Sequence, residues 1–371
     1  MQFRDLHRQY EAMKAEMDEA MLRVAASGAY IMGPQVAELE QQLAEYVGVK
    51  HCISCANGTD ALRMALLAIG IKKGDAVFVP DFTFFATAEA VAEVGATPIF
   101  VDICGDTFNI SSHDLLLKLH YIESETTLKP RAVIAVDLFG LPADYTDLVT
   151  TCHGHGLYLI EDGAQGFGGA IGSRKACSFG DISTTSFFPA KPLGCYGDGG
   201  AMFTNRDDWA ETLRSLRVHG KGENKYDNIR LGFNSRLDTM QAAVLQVKLR
   251  HFDSELKAVQ NAAAKYTDLI KAKNKRPVVL TPVTPHGFKS SWAQYTIITY
   301  DRQNTMQRFA SAGVPCGVYY PRTMQQQPAF ATIAKYQQPS QQAESLVSSV
   351  LSLPMHPYMT DEEIETVASL I

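Results

Sequence analysis

Six short apolar runs, at residues 76–79, 97–101, 132–136, 157–160, 182–187 and 201–204, organise the first half of the chain. Helical patterns at 87–94, 112–119 and 144–152 separate several of them. Each run is too short for a stable helix and reads as a strand. A strand that is apolar throughout is buried on both faces. Strands joined by helices therefore predict a mainly parallel sheet covered on both sides, the α/β class. Ligands of such sheets bind at the carboxyl ends of the strands, so the site is located before any motif is found.

With 371 residues the chain exceeds a single compact core, and two domains are expected. Its hydrophobic content of 46% and charged content of 20% are those of a globular protein. A net charge of −6 and the lack of a basic block argue against nucleic acid as the main partner. The charged start, Met1 to His7, is unlike a signal peptide, and no uncharged apolar stretch of membrane-spanning length occurs. A cytoplasmic location is the expectation. Seven cysteines are scattered through apolar segments. Cys52-Ile53-Ser54-Cys55 has redox or half-zinc-site spacing, yet it sits in a buried-strand pattern without a second such pair, which favours core thiols. Cys152-His153-Gly154-His155 reads as a helix end stopped by glycine rather than a metal site.

Residues 6–25 carry the period of one amphipathic helix, and Pro34 opens another whose stripe is Val36, Leu39, Leu43 and Val47, closed by Gly48. A strand at 51–54 then feeds Asn57-Gly58-Thr59-Asp60-Ala61-Leu62, which starts a helix. Gly58 permits close backbone approach, Thr59 offers a hydroxyl, and a helix start presents free N–H groups. The stretch suits a phosphate, or is a plain helix cap on Thr59 or Asp60.

Several side chains fall at strand ends. Asp162, with Gln165 three residues on, follows the run at 157–160. A buried carboxylate there needs a cationic partner. Phe84 follows the run at 76–79, and either stacks on a ligand or belongs to the core. Ser186 closes a strand read to about residue 188, and Lys191 enters the glycine-rich turn after it. Lys191 is either a solvated turn residue or a lysine that forms a Schiff base with pyridoxal phosphate. A long helix is expected over 239–272, bridging two domains divided near residue 245. Residues 246–371 then form a smaller α+β unit with strands at 294–298 and 314–319 and helices at 305–312 and 361–371.

Six segments occur in this order: 57–62, Glu161-Asp162-Gly163-Ala164-Gln165, Ser186-Phe187-Phe188-Pro189-Ala190-Lys191-Pro192-Leu193-Gly194, Gly232-Phe233-Asn234-Ser235-Arg236-Leu237, Tyr319-Tyr320-Pro321 and Leu353-Pro354-Met355-His356-Pro357. Together they resemble the DegT/DnrJ/EryC1/StrS family of sugar aminotransferases over nearly the whole chain. The resemblance implies the fold-type I aminotransferase fold, pyridoxal phosphate, and a homodimer with shared active sites. By position, Lys191 matches the family's cofactor-linked lysine and Asp162 the partner of the pyridine nitrogen. Gln165 matches the residue near the phenolic oxygen, and Phe84 the stacking aromatic. Gly58, Thr59, Asp60 and Ser186 match the phosphate cradle, and Asn234 a residue reaching the phosphate from the neighbouring subunit.

The implied reaction passes an amino group from glutamate to a nucleotide-linked keto-sugar. Related dehydratases carry histidine in place of the lysine, so Lys191 favours transamination over dehydration. A 4-keto-6-deoxy sugar as substrate and a non-enzymatic regulator are the other readings. The wording around Lys191 and residues 232–237 is most similar to the branch acting on UDP-linked 3-keto-uronic acids of lipopolysaccharide O-antigen. Arg236 would bind the sugar carboxylate, or else pair structurally with Asp238. Tyr319, a candidate substrate contact, stands where many members of that branch have histidine.

Overall fold

The computed structural model describes residues 1–224, 226–273 and 279–371. Seven strands form the central sheet: β1 (His51–Cys55), β2 (Asp75–Pro80), β3 (Thr97–Val101), β4 (Lys129–Val136), β5 (Tyr158–Asp162), β6 (Ile182–Ser186) and β7 (Gly200–Thr204). They lie in the order β1-β7-β6-β5-β4-β2-β3. Strands β3, β2, β4, β5 and β6 pair in parallel, while β7 runs antiparallel to both β6 and β1. The expected mainly parallel sheet is therefore present.

Both faces are buried, and successive residues serve different cores. Val77 and Val79 face one core, Ala76 and Phe78 the other; Ile134 and Val133 divide in the same way. Cys52 and Cys55 likewise enter separate cores on opposite sides of β1. Helix α3 (Pro34–Val47) presents Val36, Leu39, Leu43 and Val47 to the core and stops at Gly48, where φ is +85°.

The N-terminal stripe is two helices, not one: α1 (Leu6–Ala12) and α2 (Lys14–Ser27). Met13 leaves helical geometry (φ −119°, ψ 10°) and is buried in the same core as Met17. The strand expected to run to about residue 188 ends at Ser186. Phe187 still donates to the Gly199 carbonyl (2.7 Å), but the ladder stops there and Phe188 is exposed.

The long helix, Thr239–Lys273, packs on α2, α3 and the C-terminal helix Asp361–Ser369. Beyond it a three-stranded sheet has the order Val279–Leu280, Tyr295–Thr299, Val350–Leu353. Residues 314–319 are not the expected strand: only Gly317 makes a bridge, to Ser352. That bridge is two backbone hydrogen bonds (3.0 and 2.7 Å) on the outer edge of Val350–Leu353, whose inner edge pairs along Tyr295–Ile298. Among the described residues no helix is long and apolar enough to cross a membrane.

A largely buried ion pair joins α3 to β1. Arg217 pairs with Glu40, whose carboxylate also accepts from the Ser54 N–H (2.9 Å) and hydroxyl (2.6 Å). Arg217 also donates to the Ser54 carbonyl (2.9 Å). Removing one member leaves the other desolvated and unpaired. Arg217→Ala is expected to cost about 3 kcal/mol in urea denaturation; a loss below about 1 kcal/mol would show the pair to be solvent-compensated.

Candidate active site

Strand register sets the site. Cys55 lies opposite Gly200, and Gly200 opposite Ser186, so the ends of β1, β7 and β6 lie abreast. Helix α4 (Gly58–Ala68) starts at this level. Its cap is Asn57, whose side chain accepts from the Asp60 N–H (2.8 Å); neither Thr59 nor Asp60 serves as the cap. Gly58 abuts Ser186: a methyl group on Gly58 would stand 2.8 Å from the Ser186 Cβ. Gly58 and Thr59 occupy the first turn, where backbone N–H groups have no intrahelical acceptor. The helix dipole adds positive potential there. Asp60 is otherwise committed, its carboxylate paired with Arg63 at 2.9 Å.

Asp162 ends β5, and Lys191 sits in the turn that follows β6. Asp162 is buried and accepts from the Thr87 hydroxyl (2.9 Å) and the Ala164 N–H (3.2 Å). Burial raises its pKa, opposed by those hydrogen bonds and by the charge of Lys191. The Lys191 amine is lowered by withdrawal from water, opposed by Asp162 and assisted by Arg4. The two groups feel each other's charge, yet among the described residues they make no direct ion pair. A carboxylate buried this way remains short of one close cation.

Gln165 accepts from the Phe139 N–H (2.7 Å) and donates to the Tyr320 hydroxyl (3.2 Å). Phe84 is 54% exposed, and its ring lies 6.2 Å from that of Tyr320. It is therefore not a core residue. Tyr319 packs between the rings of Phe3 (6.0 Å) and Tyr320 (5.8 Å). Of the adjacent tyrosines it is Tyr320, not Tyr319, whose hydroxyl reaches Gln165.

Ser235 is buried and accepts from the Ala56 N–H (3.1 Å), which holds residues 234–236 beside the start of α4. Asn234 and Arg236 flank it and bond each other (2.6 Å). The expected alternative pairing of Arg236 with Asp238 does not form among the described residues. Among the described residues no hydrogen bond or ion pair joins Asn234 or Arg236 to Lys191, Asp162 or Phe84.

Thr87, Tyr320, Asn57 and Arg4 were not identified from the sequence. Tyr320 and Asn57 adjoin singled-out residues and were legible from the same motifs. Thr87 and Arg4 carried no signal, because only the tertiary fold brings them to the site.

A lysine and a carboxylate withdrawn from water at strand ends, beside a helix N-terminus, define a lysine-dependent enzyme of the α/β class. Residues 11–371 match the DegT/DnrJ/EryC1/StrS aminotransferase family. The chain is 40% identical, over all of its length and 99% of the relative's, to UDP-2-acetamido-2-deoxy-3-oxo-D-glucuronate aminotransferase of Pseudomonas aeruginosa. It is 38% identical to UDP-N-acetyl-3-dehydro-alpha-D-glucosamine 3-aminotransferase of Acidithiobacillus ferrooxidans, covering 99% of this chain and 96% of that one. A crystal structure of a DegT DnrJ EryC1 StrS aminotransferase from Brucella abortus superposes with a TM-score of 0.96 at 46% identity, covering 100% and 98% of the two chains. The chain belongs to this family of aminotransferases.

The residues present fit pyridoxal phosphate. The buried Asp162 lacks a close cation, which a protonated pyridine nitrogen supplies. The first turn of α4 beside Ser186 suits a phosphate. The exposed Phe84 offers a ring face.

Asp81, which follows β2 towards the site, is buried and accepts from the Gln325 N–H (2.8 Å) and side-chain amide (3.0 Å). Burial pushes its pKa up to about 6 from an ordinary 3.8. The native state thus holds this proton more tightly than the unfolded chain. The stabilisation is complete below 3.8 and is lost as pH rises towards 6. Relative to Asp81→Asn, the wild type should lose roughly 3 kcal/mol of stability across this window. Denaturation at several pH values measures it, and parallel curves for the two proteins would rule it out.

Proposed function

We propose that this chain is a pyridoxal-phosphate-dependent aminotransferase that passes an amino group from glutamate to a UDP-linked 3-keto sugar. The substrate we infer is UDP-2-acetamido-2-deoxy-3-keto-glucuronic acid, and the product a 3-amino sugar for lipopolysaccharide O-antigen. The observation that carries the chemistry is the buried Asp162 with the Lys191 amine near enough to feel its charge, without a direct ion pair. Full-length likeness to the Pseudomonas aeruginosa enzyme supports the sugar.

In this reading the Gly58 and Thr59 N–H groups and the Ser186 hydroxyl hold the phosphate. Asp60 fixes the cap and, paired with Arg63, adds no unpaired negative charge beside it. Asp162 holds the proton on the pyridine nitrogen, and Thr87 orients Asp162. Phe84 covers the ring, while Gln165, steadied by Phe139 and Tyr320, serves the phenolic oxygen. When bound, the protonated ring supplies an electron sink for the carbon that loses a proton. Lys191 Nζ takes that proton and returns it; its lowered pKa leaves more neutral amine for the task.

We read the working unit as a homodimer. Leu231 is 95% exposed and Ile229 57%. They line an open cleft of about 790 Å³ with His219, Asn228, Arg230 and Gly232. Apolar side chains this exposed favour coverage by another copy. Asn234 and Arg236, without contact to their own Lys191, would then serve the neighbour's site: Asn234 the phosphate and Arg236 the sugar carboxylate. Tyr319 would border the sugar from the aromatic stack. We divide the chain near residue 245, with the cofactor on 1–245 and the smaller sheet within 246–371. Seven free cysteines suit the reducing cytoplasm.

Purified protein supplied with pyridoxal phosphate should show a visible absorption band that Lys191→Ala removes. A band persisting in the variant excludes Lys191 as the attachment point. Glutamate should bleach the band, and the UDP-3-keto-uronic acid should restore it. Restoration only by a 4-keto-6-deoxy sugar nucleotide would move the enzyme to that substrate class.

Arg236→Ala should lower kcat/KM for the carboxylated sugar at least tenfold while cofactor loading is unchanged. Equal loss of both would assign Arg236 a structural role.

A further inference from the structure

The turn that carries Lys191 presents its backbone carbonyls to two cations. Arg4 Nη2 donates to the Lys191 carbonyl (2.9 Å) and lies 3.5 Å from that of Pro192. Lys248, 1% exposed on the long helix, donates to the Gly194 carbonyl (2.7 Å). Gly194 has no room for a side chain, since a methyl there would meet the Pro189 carbonyl at 2.5 Å. Glu255, on the same face of the long helix about two turns beyond Lys248, is held by Gln9 (3.0 Å) and Tyr358 (2.6 Å), and its charge opposes the desolvation of both cations.

Arg4 is itself anchored at some distance from the turn it holds. Its neighbour Phe3 accepts from the Met355 N–H (3.1 Å) and packs its ring on Tyr319. Asp5 caps α1, and Arg8 makes a two-bond pair with Glu363 (both 2.9 Å). The guanidinium is thus delivered to the lysine turn by a segment fixed on both sides.

We propose that Arg4 is a positioning residue for Lys191: by holding the Lys191 and Pro192 carbonyls it sets where the lysine side chain leaves the turn, and with that the surroundings of its amine. The relevance to catalysis rests on the aminotransferase reading above, whereas the effect on the amine does not. A fixed positive charge near an amine favours the neutral form of that amine. Withdrawal from water lowers Arg4 only to about 10, so it remains cationic at neutral pH. Lys191 bears the effect, with Arg4 acting in the same direction as its own burial and against Asp162.

The test titrates Lys191 in the full-length protein before cofactor is added. Acetic anhydride labels neutral amines, and peptide mass spectrometry reads the rate at Lys191 against pH. Arg4→Gln keeps a donor and removes the charge; Arg4→Lys keeps the charge. The Lys191 titration should rise by about half a unit or more in Arg4→Gln, slowing labelling roughly threefold at pH 8, and Arg4→Lys should restore most of it. Unchanged Lys191 titration in a folded Arg4→Gln protein overturns the proposal, and so does a shift that Arg4→Lys fails to reverse. If Arg4→Gln does not fold, Arg4→Lys decides alone, since a titration displaced from wild type despite the retained charge is equally fatal. In the loaded enzyme, kcat should fall with KM for glutamate unchanged. A labelling shift without any transaminase activity would refute the functional reading and leave the Arg4 inference standing.

Discussion

The site depends on how closely three backbones approach at the ends of β1, β6 and β7. Gly200 lies between Ser186 and Cys55 in the ladder, and a methyl on it would meet the Asn57 carbonyl group at 2.6 Å. Gly58 is as tight against Ser186. Two residues without side chains therefore let the first turn of α4 settle beside the end of β6. Lys191, five residues beyond Ser186, is thereby bound to the same level of the sheet as the helix N-terminus. Wider spacing would separate the anion-binding turn from the lysine, and no side chain could close the gap.

The electrostatics follow from that placement. Strand ends of a doubly covered sheet are poor in water, so the charged forms of both Asp162 and Lys191 are penalised. Neither group neutralises the other directly. Thr87 and Ala164 supply hydrogen bonds to Asp162, and Arg4 holds the backbone carbonyl of Lys191. The chain holds an acid and an amine ready for a partner that needs both. This is what an aminotransferase requires of its protein part.

Much of this was legible in the sequence because it is written in local terms. Strand runs apolar on both faces announce a covered parallel sheet, and the strand-end rule then points to Asp162 and Lys191. What was misread depends on distant partners. Residues 314–319 look like a strand, but they meet the outer edge of Val350–Leu353 at Gly317 alone. At Met13 the backbone leaves helical geometry while its side chain stays in one core with Met17. The cap falls to Asn57 rather than to Thr59 or Asp60 because α4 begins two or three residues before those caps would start it. Arg4 carried no local signal at all; its meaning comes from a carbonyl 187 residues away.

The anchoring of residues 3–8 also bears on the order in which the molecule is assembled. Phe3 is held by Met355, and Arg8 by Glu363 and the Tyr358 carbonyl, contacts spanning almost the whole polypeptide. On the ribosome, residues 3–8 wait for residues 355–363 to be made before they meet these partners. Closing so long a loop is entropically costly and slow relative to local structure. The central sheet has all its strands once residue 204 is made, whereas Arg4 can reach the lysine turn early but stays unanchored until the C-terminal helix exists. The turn that bears Lys191 is thus one of the final pieces to become rigid, and a truncated chain would be left with an unbraced lysine.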